Sequence, residues 1–315
     1  MGDQQPPDEG FADGIVGITS YDVPGRQKKE FLPWHRPRKQ LVRNWQWREQ
    51  IEKLLDEGRH EGDTLLYLGL PGVDLLDLRY FHSQICEPRK RRLRFLGFNS
   101  GTNPASDDQT ELNISLAEVQ SLALIDPQSD VIVDDFRRMA NENSIAWQRT
   151  LAVGPYHVIN LDLCDGFGVQ APGVLEDTHY NAVNQLFSLQ ARSIHSWLLL
   201  LTTRVGKEDI HEEVLQRLLD KYVANLTTCP PFQAASEQYF EISDETSLRE
   251  AEGTSRGLLD IFLVGLCKWL MGLAIIHQPR TKIEIRSVMG YRVATNAEHE
   301  DLISLVHVGL NSLAV

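Results

Sequence analysis

Five short apolar runs, separated by amphipathic stretches, constrain the fold of this chain more than any other feature. The runs cover residues 64–68, 93–99, 130–136, 156–165 and 196–205. Each is nearly continuous in apolar residues, as expected for a strand that helices cover on both faces. The stretches between them have the periodicity of helices and lie at 74–86, 115–124, 137–150 and 179–193. This alternation predicts an α/β fold around a mostly parallel sheet.

The sequence on either side of these runs completes the prediction. A helix is predicted at 38–58, and a helical insertion is predicted around 207–276. Residues 282–295 then resemble a strand, a turn at Gly290 and a partner strand, and 301–311 resemble a last strand. We therefore expect a seven-stranded, mostly parallel sheet with an antiparallel terminal strand and helices on both faces. Residues 31–315 form this domain, and residues 1–30, rich in Gly, Pro and Asp, are expected to form a flexible acidic arm.

The charge of the chain limits its partners. A net charge of -13 argues against a protein that coats nucleic acid nonspecifically. However, residues 25–48 are basic and aromatic, and their cations include Arg36, Arg38, Lys39 and Arg43. These side chains could bind the phosphates of a nucleic acid or a protein partner, or they could pair with acids of this chain. The nearby Trp45 is expected to pack the helix onto the sheet.

Other sequence features argue against membrane and metal partners. The most apolar stretch, 257–276, contains Asp260 and Lys268, so we expect a buried helix rather than a membrane span. The four cysteines form no C-x-x-C pair, and the histidines lack the i, i+4 spacing of a helical metal site. We therefore expect no bound metal. Scattered thiols without a secretory signal predict a cytoplasmic protein.

Polar side chains and glycines gather where the predicted strands end. Carboxyl ends of parallel strands meet at one edge of a sheet, where ligands of open α/β folds bind. The candidates in chain order are Tyr67, Gly69, Pro71, Gly72, Asn99, Asp134, Asp135, Phe136, Asn160, Asp162 and Asp165. Alternatively, the aspartates could cap the helices that follow, because Asp is a good N-cap residue. They could also be solvated side chains at the strand ends.

The order of elements and the stretch "YLGLPGV" (67–73) resemble class I S-adenosylmethionine-dependent methyltransferases over residues 38–311. In that family the first strand ends in an acidic residue and then Gly-x-Gly-x-Gly. Tyr67 stands at the position of the acid, and Gly69 matches the first glycine. Pro71 replaces the second glycine, and Gly72 lies one residue before the third. Proline has no N–H and a fixed φ, so this loop departs from the family's loop.

The resemblance implies S-adenosylmethionine as the cofactor and assigns the candidates to it. The residues from Tyr67 to Gly72 would surround its amino-acid part, Asn99 its ribose, and Asp134, Asp135 or Phe136 its adenine. Asn160 would lie beside the cofactor, with Asp162 or Asp165 as the catalytic base. The stretches "RPRKQLVRNWQW" and "NLDLCDGFG" also resemble methyltransferase-like proteins of bacterial conflict and defence operons.

Two functions follow from this resemblance. The chain could be a divergent methyltransferase that acts on nucleic acid or on a protein partner. Alternatively, it could be an inactive methyltransferase-like subunit that serves as a scaffold in a multi-protein complex, such as an antiphage defence system. The replacement of both family acids, by Tyr67 and Asn99, favours the second function, and the order of the strands favours the first.

Overall fold

A computed structural model describes residues 37–57, 62–100, 108–171, 177–292 and 302–311. The predicted arm at 1–30 and Arg36 lie outside these residues. Within them, seven strands form one sheet: β1 Thr64–Gly69, β2 Arg92–Phe98, β3 Asp130–Ile132, β4 Val158–Gly166, β5 Trp197–Arg204, β6 Thr281–Tyr291 and β7 Leu302–Asn311.

The strand order in the sheet is β3-β2-β1-β4-β5-β7-β6. The first five strands are parallel, and β7 runs antiparallel between β5 and β6. The chain leaves β1 in one direction through β2 and β3, and it returns to the other side of β1 through β4. This reversal creates a topological switch point between β1 and β4. The order is that of the class I methyltransferase fold, so the predicted Rossmann-like α/β architecture is confirmed.

Helices cover both faces of the sheet. They are α1 (37–56), α2 (76–89), α3 Asp108–Gln120, α4 Ile145–Val153, α5 His179–Gln190, α6 Glu212–Thr228, α7 Pro230–Phe240, α8 Glu245–Glu252 and α9 Ser255–Ile276. Segments Arg43–Arg48 of α1 and His82–Cys86 of α2 are wound as π-helix. The helices α1, α2 and α3 pack one core against the sheet, and α4, α5 and α9 pack the other. The apolar runs of the strands are thus buried on both sides.

The region after β3 differs from the prediction. β3 has only three residues, although the apolar run predicts a strand over 130–136. Asp135 ends the extended backbone because its carboxylate accepts the Arg137 N–H and caps a 3-10 turn, Phe136–Ala140. Ser144 then caps α4 through the Trp147 N–H. The predicted helix at 137–150 is therefore two separate elements, because local caps interrupt it.

The predicted turn at Gly290 is wrong. β6 is one strand from Thr281 to Tyr291, and Gly290 pairs with Ile303 of β7. The register shifts between Ile285 and Ser287, so the irregularity of the strand is a bulge there. β6 is an edge strand of the sheet, so Gly290 pairs on one side only, with β7.

Four helices, α6 to α9, occupy the segment between β5 and β6, where the sequence predicts a helical insertion. They form a third apolar core, which includes Leu219, Tyr222 and Ile261. In the described part of the chain, α9 is the one helix that is long and apolar enough to cross a membrane. Half of its most apolar window is buried inside the protein.

Candidate functional site

A cavity of about 670 Å³ opens at the topological switch point. Its walls are the loop 70–75 after β1, the ends of β2 and β4, the turn after β3 and the start of α5. Ligands of open α/β sheets bind in this position. The volume lies in the range of pockets that hold a cofactor or a drug-sized ligand. We call this space the acidic cavity because seven aspartates line it.

The loop after β1 is fixed by contacts with β2 rather than by a series of glycines. Pro71 is buried against Gly97, where a Cβ atom would lie only 2.8 Å from the proline ring. The Asn99 side chain donates a hydrogen bond to the Pro71 carbonyl oxygen at 2.9 Å. The left-handed residue of the loop is Leu75, with φ of 49°. Pro71, Gly72 and Asn99 all line the acidic cavity. The loop after β1 therefore borders the cavity, although its sequence departs from Gly-x-Gly-x-Gly.

Three of the candidate residues lie beneath the cavity instead of lining it. The Asn160 amide donates to the Tyr67 hydroxyl at 3.1 Å. A Cβ atom on Gly69 would lie 2.6 Å from that hydroxyl, so only glycine lets the ring approach the strand so closely. Burial raises the pKa of Tyr67 well above its usual value, and Asp77 adds to the effect. The Tyr67 hydroxyl is therefore neutral and does not replace the charge of the family acid.

A buried carboxylate is nevertheless present nearby, at Asp77. This residue lies in the first turn of α2, forms an ion pair with Arg43 of α1, and lines the acidic cavity together with it. Asp77 was not among the site residues predicted from the sequence. The available signal was an acid in the first turn of the helix that follows the first strand, where the helix dipole favours negative charge.

A second buried ion pair joins Asp162 at the end of β4 to Lys39 of α1. The Lys39 ammonium also donates to the Tyr291 hydroxyl at 3.2 Å and lies 4.7 Å from the centre of the Trp47 ring. Burial lowers the pKa of Lys39, but the Asp162 carboxylate and Tyr291 outweigh it, and the pKa is raised. Burial raises the pKa of Asp162, and Lys39 opposes that shift. Lys39 therefore keeps its proton and holds the Asp162 carboxylate in place.

The predicted basic residues of α1 do not form an exposed basic face. Lys39 and Arg43 are both buried and point toward the strand ends. Arg38 donates to the Arg292 carbonyl oxygen at the surface. Trp47 packs in the core, whereas Trp45, which the pattern suggested would pack, is exposed. The π-helical segment Arg43–Arg48 explains the difference, because it changes the angular spacing of the side chains.

The lining of the cavity is strongly acidic. Its seven carboxylates belong to Asp74, Asp77, Asp108, Asp134, Asp135, Asp162 and Asp165. The arginines that line it are Arg43 and Arg137, and Arg137 pairs with Asp135. Asp134 lies 3.4 Å from Arg138, and Asp165 is exposed at the irregular end of β4. The predicted residues Asp134, Asp135, Phe136, Asp162 and Asp165 thus meet in one cavity.

His179, the first residue of α5, lines the cavity but was not among the site residues predicted from the sequence. Its ring stacks between Phe167, at 5.8 Å between centroids, and Phe136, at 6.5 Å. The Nδ1 atom is buried and has no hydrogen-bond partner among the described residues. Burial lowers the pKa of His179, although Asp165 opposes this. At neutral pH the ring is therefore neutral and can accept a proton.

The strand order and the cavity at the switch point define the class by its fold: this chain has the Rossmann-like α/β architecture of class I methyltransferases. A family model, described as PP_RS20740-like, matches residues 28–310, and the chain belongs to this family. No curated protein matches the chain.

Two solved structures illustrate what the chain is similar to. The magnesium protoporphyrin IX methyltransferase ChlM from Synechocystis PCC 6803, with bound SAM, is 12% identical at a TM-score of 0.40, covering 99% of this chain and 100% of that chain. A putative class I S-adenosylmethionine-dependent methyltransferase from Listeria monocytogenes is 10% identical at a TM-score of 0.39, covering 84% of this chain and 60% of that chain.

Proposed function

We propose that this protein binds S-adenosylmethionine in the acidic cavity and transfers its methyl group to an acceptor. The observation that carries the proposal is the charge of the lining, in which seven aspartates face two arginines. S-adenosylmethionine has a sulfonium and an ammonium cation against one carboxylate, and complementary charge favours its binding. Dinucleotides and nucleoside triphosphates bring several phosphate charges, which such a lining repels. The cavity therefore selects a cationic nucleoside among the ligands of Rossmann-like folds.

The residues of the cavity fit the parts of this donor. In the proposal, Asp77 binds the ammonium group and Arg43 binds the carboxylate of the amino-acid part. Asp77 thereby replaces the charge that Tyr67 lacks. Asn99 and Asp134 stand at the ends of β2 and β3, where they would bind the ribose hydroxyls and the adenine. Asn99 also secures the loop through Pro71, so it has a structural role beside the proposed one.

The transfer needs little from the protein beyond alignment and a place for one proton. When bound, the donor supplies a methyl carbon that bonds to the acceptor's nitrogen or oxygen, while the sulfur leaves as a thioether. His179 is proposed to accept the proton that the acceptor loses, because its neutral ring faces the cavity. Asp165, exposed at the same wall, would stabilise the imidazolium. Asp162 is held by Lys39, so we assign it a positioning role instead of the role of base.

The acceptor of the methyl group could be a nucleic acid or a protein. A nucleic-acid acceptor has little support, because Lys39 and Arg43 are buried and the lining of the cavity is acidic. The thiols of Cys86, Cys229 and Cys267 are not in disulfides, which supports the proposed cytoplasmic location.

A second candidate function is an inactive subunit that serves as a scaffold in a complex, for example in bacterial defence. The observation that favours it is the replaced loop, with Tyr67 buried beneath it and Pro71 packed on Gly97. The two functions differ in a direct way. The scaffold needs no donor and no proton acceptor, whereas the enzyme needs both.

The transfer itself can be tested with methyl-labelled S-adenosylmethionine and separate protein, nucleic-acid and small-molecule fractions of a cell extract. The wild type is expected to label one fraction. His179→Phe keeps an aromatic ring between Phe136 and Phe167, so it should bind donor normally and lose transfer. Donor binding without any transfer by the wild type would favour the scaffold. Unchanged transfer by His179→Phe would remove histidine as the proton acceptor.

A further inference from the structure

A second cavity, of about 770 Å³, lies in the helical insertion between α6, α7 and α9. We call it the apolar cleft. Phe167, which follows β4, and Tyr180 of α5 close its side toward the sheet. Most of its lining is aliphatic or aromatic and includes Leu218, Tyr222, Phe232, Phe262, Leu266 and Trp269. A cleft of this size and character fits a small molecule with an apolar body.

The charges on the apolar cleft all have one sign. Arg217, Lys221 and Lys268 line it, and no Asp or Glu does. The Lys268 ammonium is fixed at the wall, because it donates to the Asn225 side chain at 2.7 Å and lies 4.7 Å from the centre of the Phe232 ring. In a chain with a net charge of -13, this local excess of cations is complementary to an anionic group.

A buried polar atom also points to a ligand. The Tyr180 hydroxyl is buried and has no hydrogen-bond partner among the described residues. Burial raises the pKa of Tyr180 to about 12, so the hydroxyl keeps its proton and can donate it. Its ring is fixed by edge contacts with Phe167, at 5.1 Å, and Trp269, at 5.7 Å. A buried hydroxyl without a partner destabilises the fold, and an oxygen or nitrogen atom of a ligand in the cleft would satisfy it.

The apolar cleft and the acidic cavity share a wall. Phe167 lines the cleft and stacks on His179, which lines the acidic cavity. Tyr180 follows His179 in α5 and lines the cleft. A molecule in the cleft is thus separated from the proposed proton acceptor by one aromatic ring.

We infer that the apolar cleft binds a small amphipathic molecule, with an aliphatic or aromatic body and one anionic group. The anionic group lies among Arg217, Lys221 and Lys268, and Tyr180 donates to a polar atom of the body.

Binding to the cleft can be measured by calorimetric titration of the full chain with dodecanoate, below its micelle concentration. Dodecyltrimethylammonium serves as the cationic probe with the same tail. Dodecanoate is expected to bind at least tenfold more tightly than the cation. Equal affinity for the two probes would overturn the role of the three cations, and no binding of dodecanoate would overturn the site.

Two neighbouring positions of α9 provide a matched pair of variants. Gly272 lines the cleft, and a Cβ atom there meets nothing within 4 Å, so Gly272→Trp should fill the cleft without disturbing the helix. Met271 is exposed, and Met271→Trp adds the same ring outside the cleft. We expect Gly272→Trp to weaken dodecanoate binding at least tenfold and Met271→Trp to change it less than twofold. Equal effects of the two variants would place the probe elsewhere.

The cleft is tested separately from donor binding. Gly272→Trp should bind S-adenosylmethionine as the wild type does, because Gly272 lines the cleft and not the acidic cavity. Dodecanoate binding in a protein that binds no S-adenosylmethionine would retain the cleft as a site and reject the proposed function.

Discussion

The two cavities of this protein have similar volumes, about 670 and 770 Å³, and opposite linings. The acidic cavity carries seven aspartates, whereas the apolar cleft carries three cations and no acid. The difference follows from what builds each one. Strand ends and the turns after them form the acidic cavity, and Asp is favoured at such positions because it caps helices and turns. Faces of four packed helices form the cleft, and those faces are apolar.

The acidic cavity is a feature of the fold, whereas the apolar cleft is a feature of this chain. The switch point that positions the acidic cavity exists in every sheet with this strand order. The apolar cleft exists only because α6 to α9 were inserted between β5 and β6. A shared donor in the first cavity and an individual ligand in the second would match this division.

The largest expected effect is on the free energy of unfolding, and it differs between the ion pair of the acidic cavity and that of the apolar cleft. Arg43→Met leaves the buried Asp77 carboxylate without its cation and should lower the free energy of unfolding by about 3–5 kcal/mol. Arg217→Met at the cleft removes an exposed partner of Glu213, 3.8 Å away, and should change stability little. Urea unfolding at neutral pH measures both. The double variant Arg43→Met with Asp77→Leu should regain most of the loss, and equal effects of the two single variants would contradict this account.

The next effect concerns the pH dependence of stability, and it tests two neutral histidines, one buried on β7 and one in the wall of the acidic cavity. Burial lowers the pKa of His307 on β7 to about 4. The unfolded chain binds this proton near pH 6.5, so the free energy of unfolding should fall by about 3 kcal/mol as the pH drops from 6.5 to 4. Burial shifts the pKa of His179 in the same direction and adds to the loss. His307→Leu should flatten the profile more than His179→Phe does, and a profile that neither variant changes would be evidence against buried neutral histidines.

A smaller effect is expected for donor binding at the acidic cavity. Asp77→Asn removes the carboxylate proposed to bind the ammonium group and should weaken S-adenosylmethionine binding about 30-fold, or about 2 kcal/mol. Calorimetric titration of the folded variant measures the change. Asp220→Asn alters an exposed aspartate of α6 and should have no effect. If the two variants bind the donor equally well, Asp77 does not hold its ammonium group.

The smallest effect concerns two glycines of α9 that line the apolar cleft. A Cβ atom on Gly265 would overlap the Leu218 side chain, so Gly265→Ala should lower the free energy of unfolding by about 1 kcal/mol. Gly272 faces open space, so Gly272→Ala should raise it by about 0.5–1 kcal/mol through helix propensity. Thermal unfolding compares the two variants. A stabilising Gly265→Ala would mean that α6 and α9 do not pack as closely as described.

The sequence predicted the sheet well because burial on both faces leaves a direct mark, the near-continuous apolar run. It also placed Asp134, Asp162 and Asp165 at one edge, because the ends of parallel strands meet there. The end of β3 and the path of β6 were mispredicted. In the first case, the cap at Asp135 overrides an apolar run, and in the second a glycine pairs inside an edge strand.

Side chains that depend on tertiary contacts were harder to predict. Lys39 and Arg43 look like surface cations in a basic stretch, and only the packing of α1 against the strand ends shows that they are buried. Asp77 and His179 lie outside the family's motif, and their roles follow from Arg43 and from the stacked phenylalanines. No local pattern in the sequence predicts the apolar cleft, because its walls come from four separate helices and the residue after β4.

The most direct test of the central claim is a calorimetric titration of the full chain with S-adenosylmethionine, with ATP and NAD as comparison ligands. The acid-lined cavity predicts micromolar binding of S-adenosylmethionine and no binding of either phosphate-bearing nucleotide at millimolar concentration. Binding of ATP or NAD in place of S-adenosylmethionine, or no binding of S-adenosylmethionine up to millimolar concentration, would contradict the proposal that the acidic cavity is a donor site.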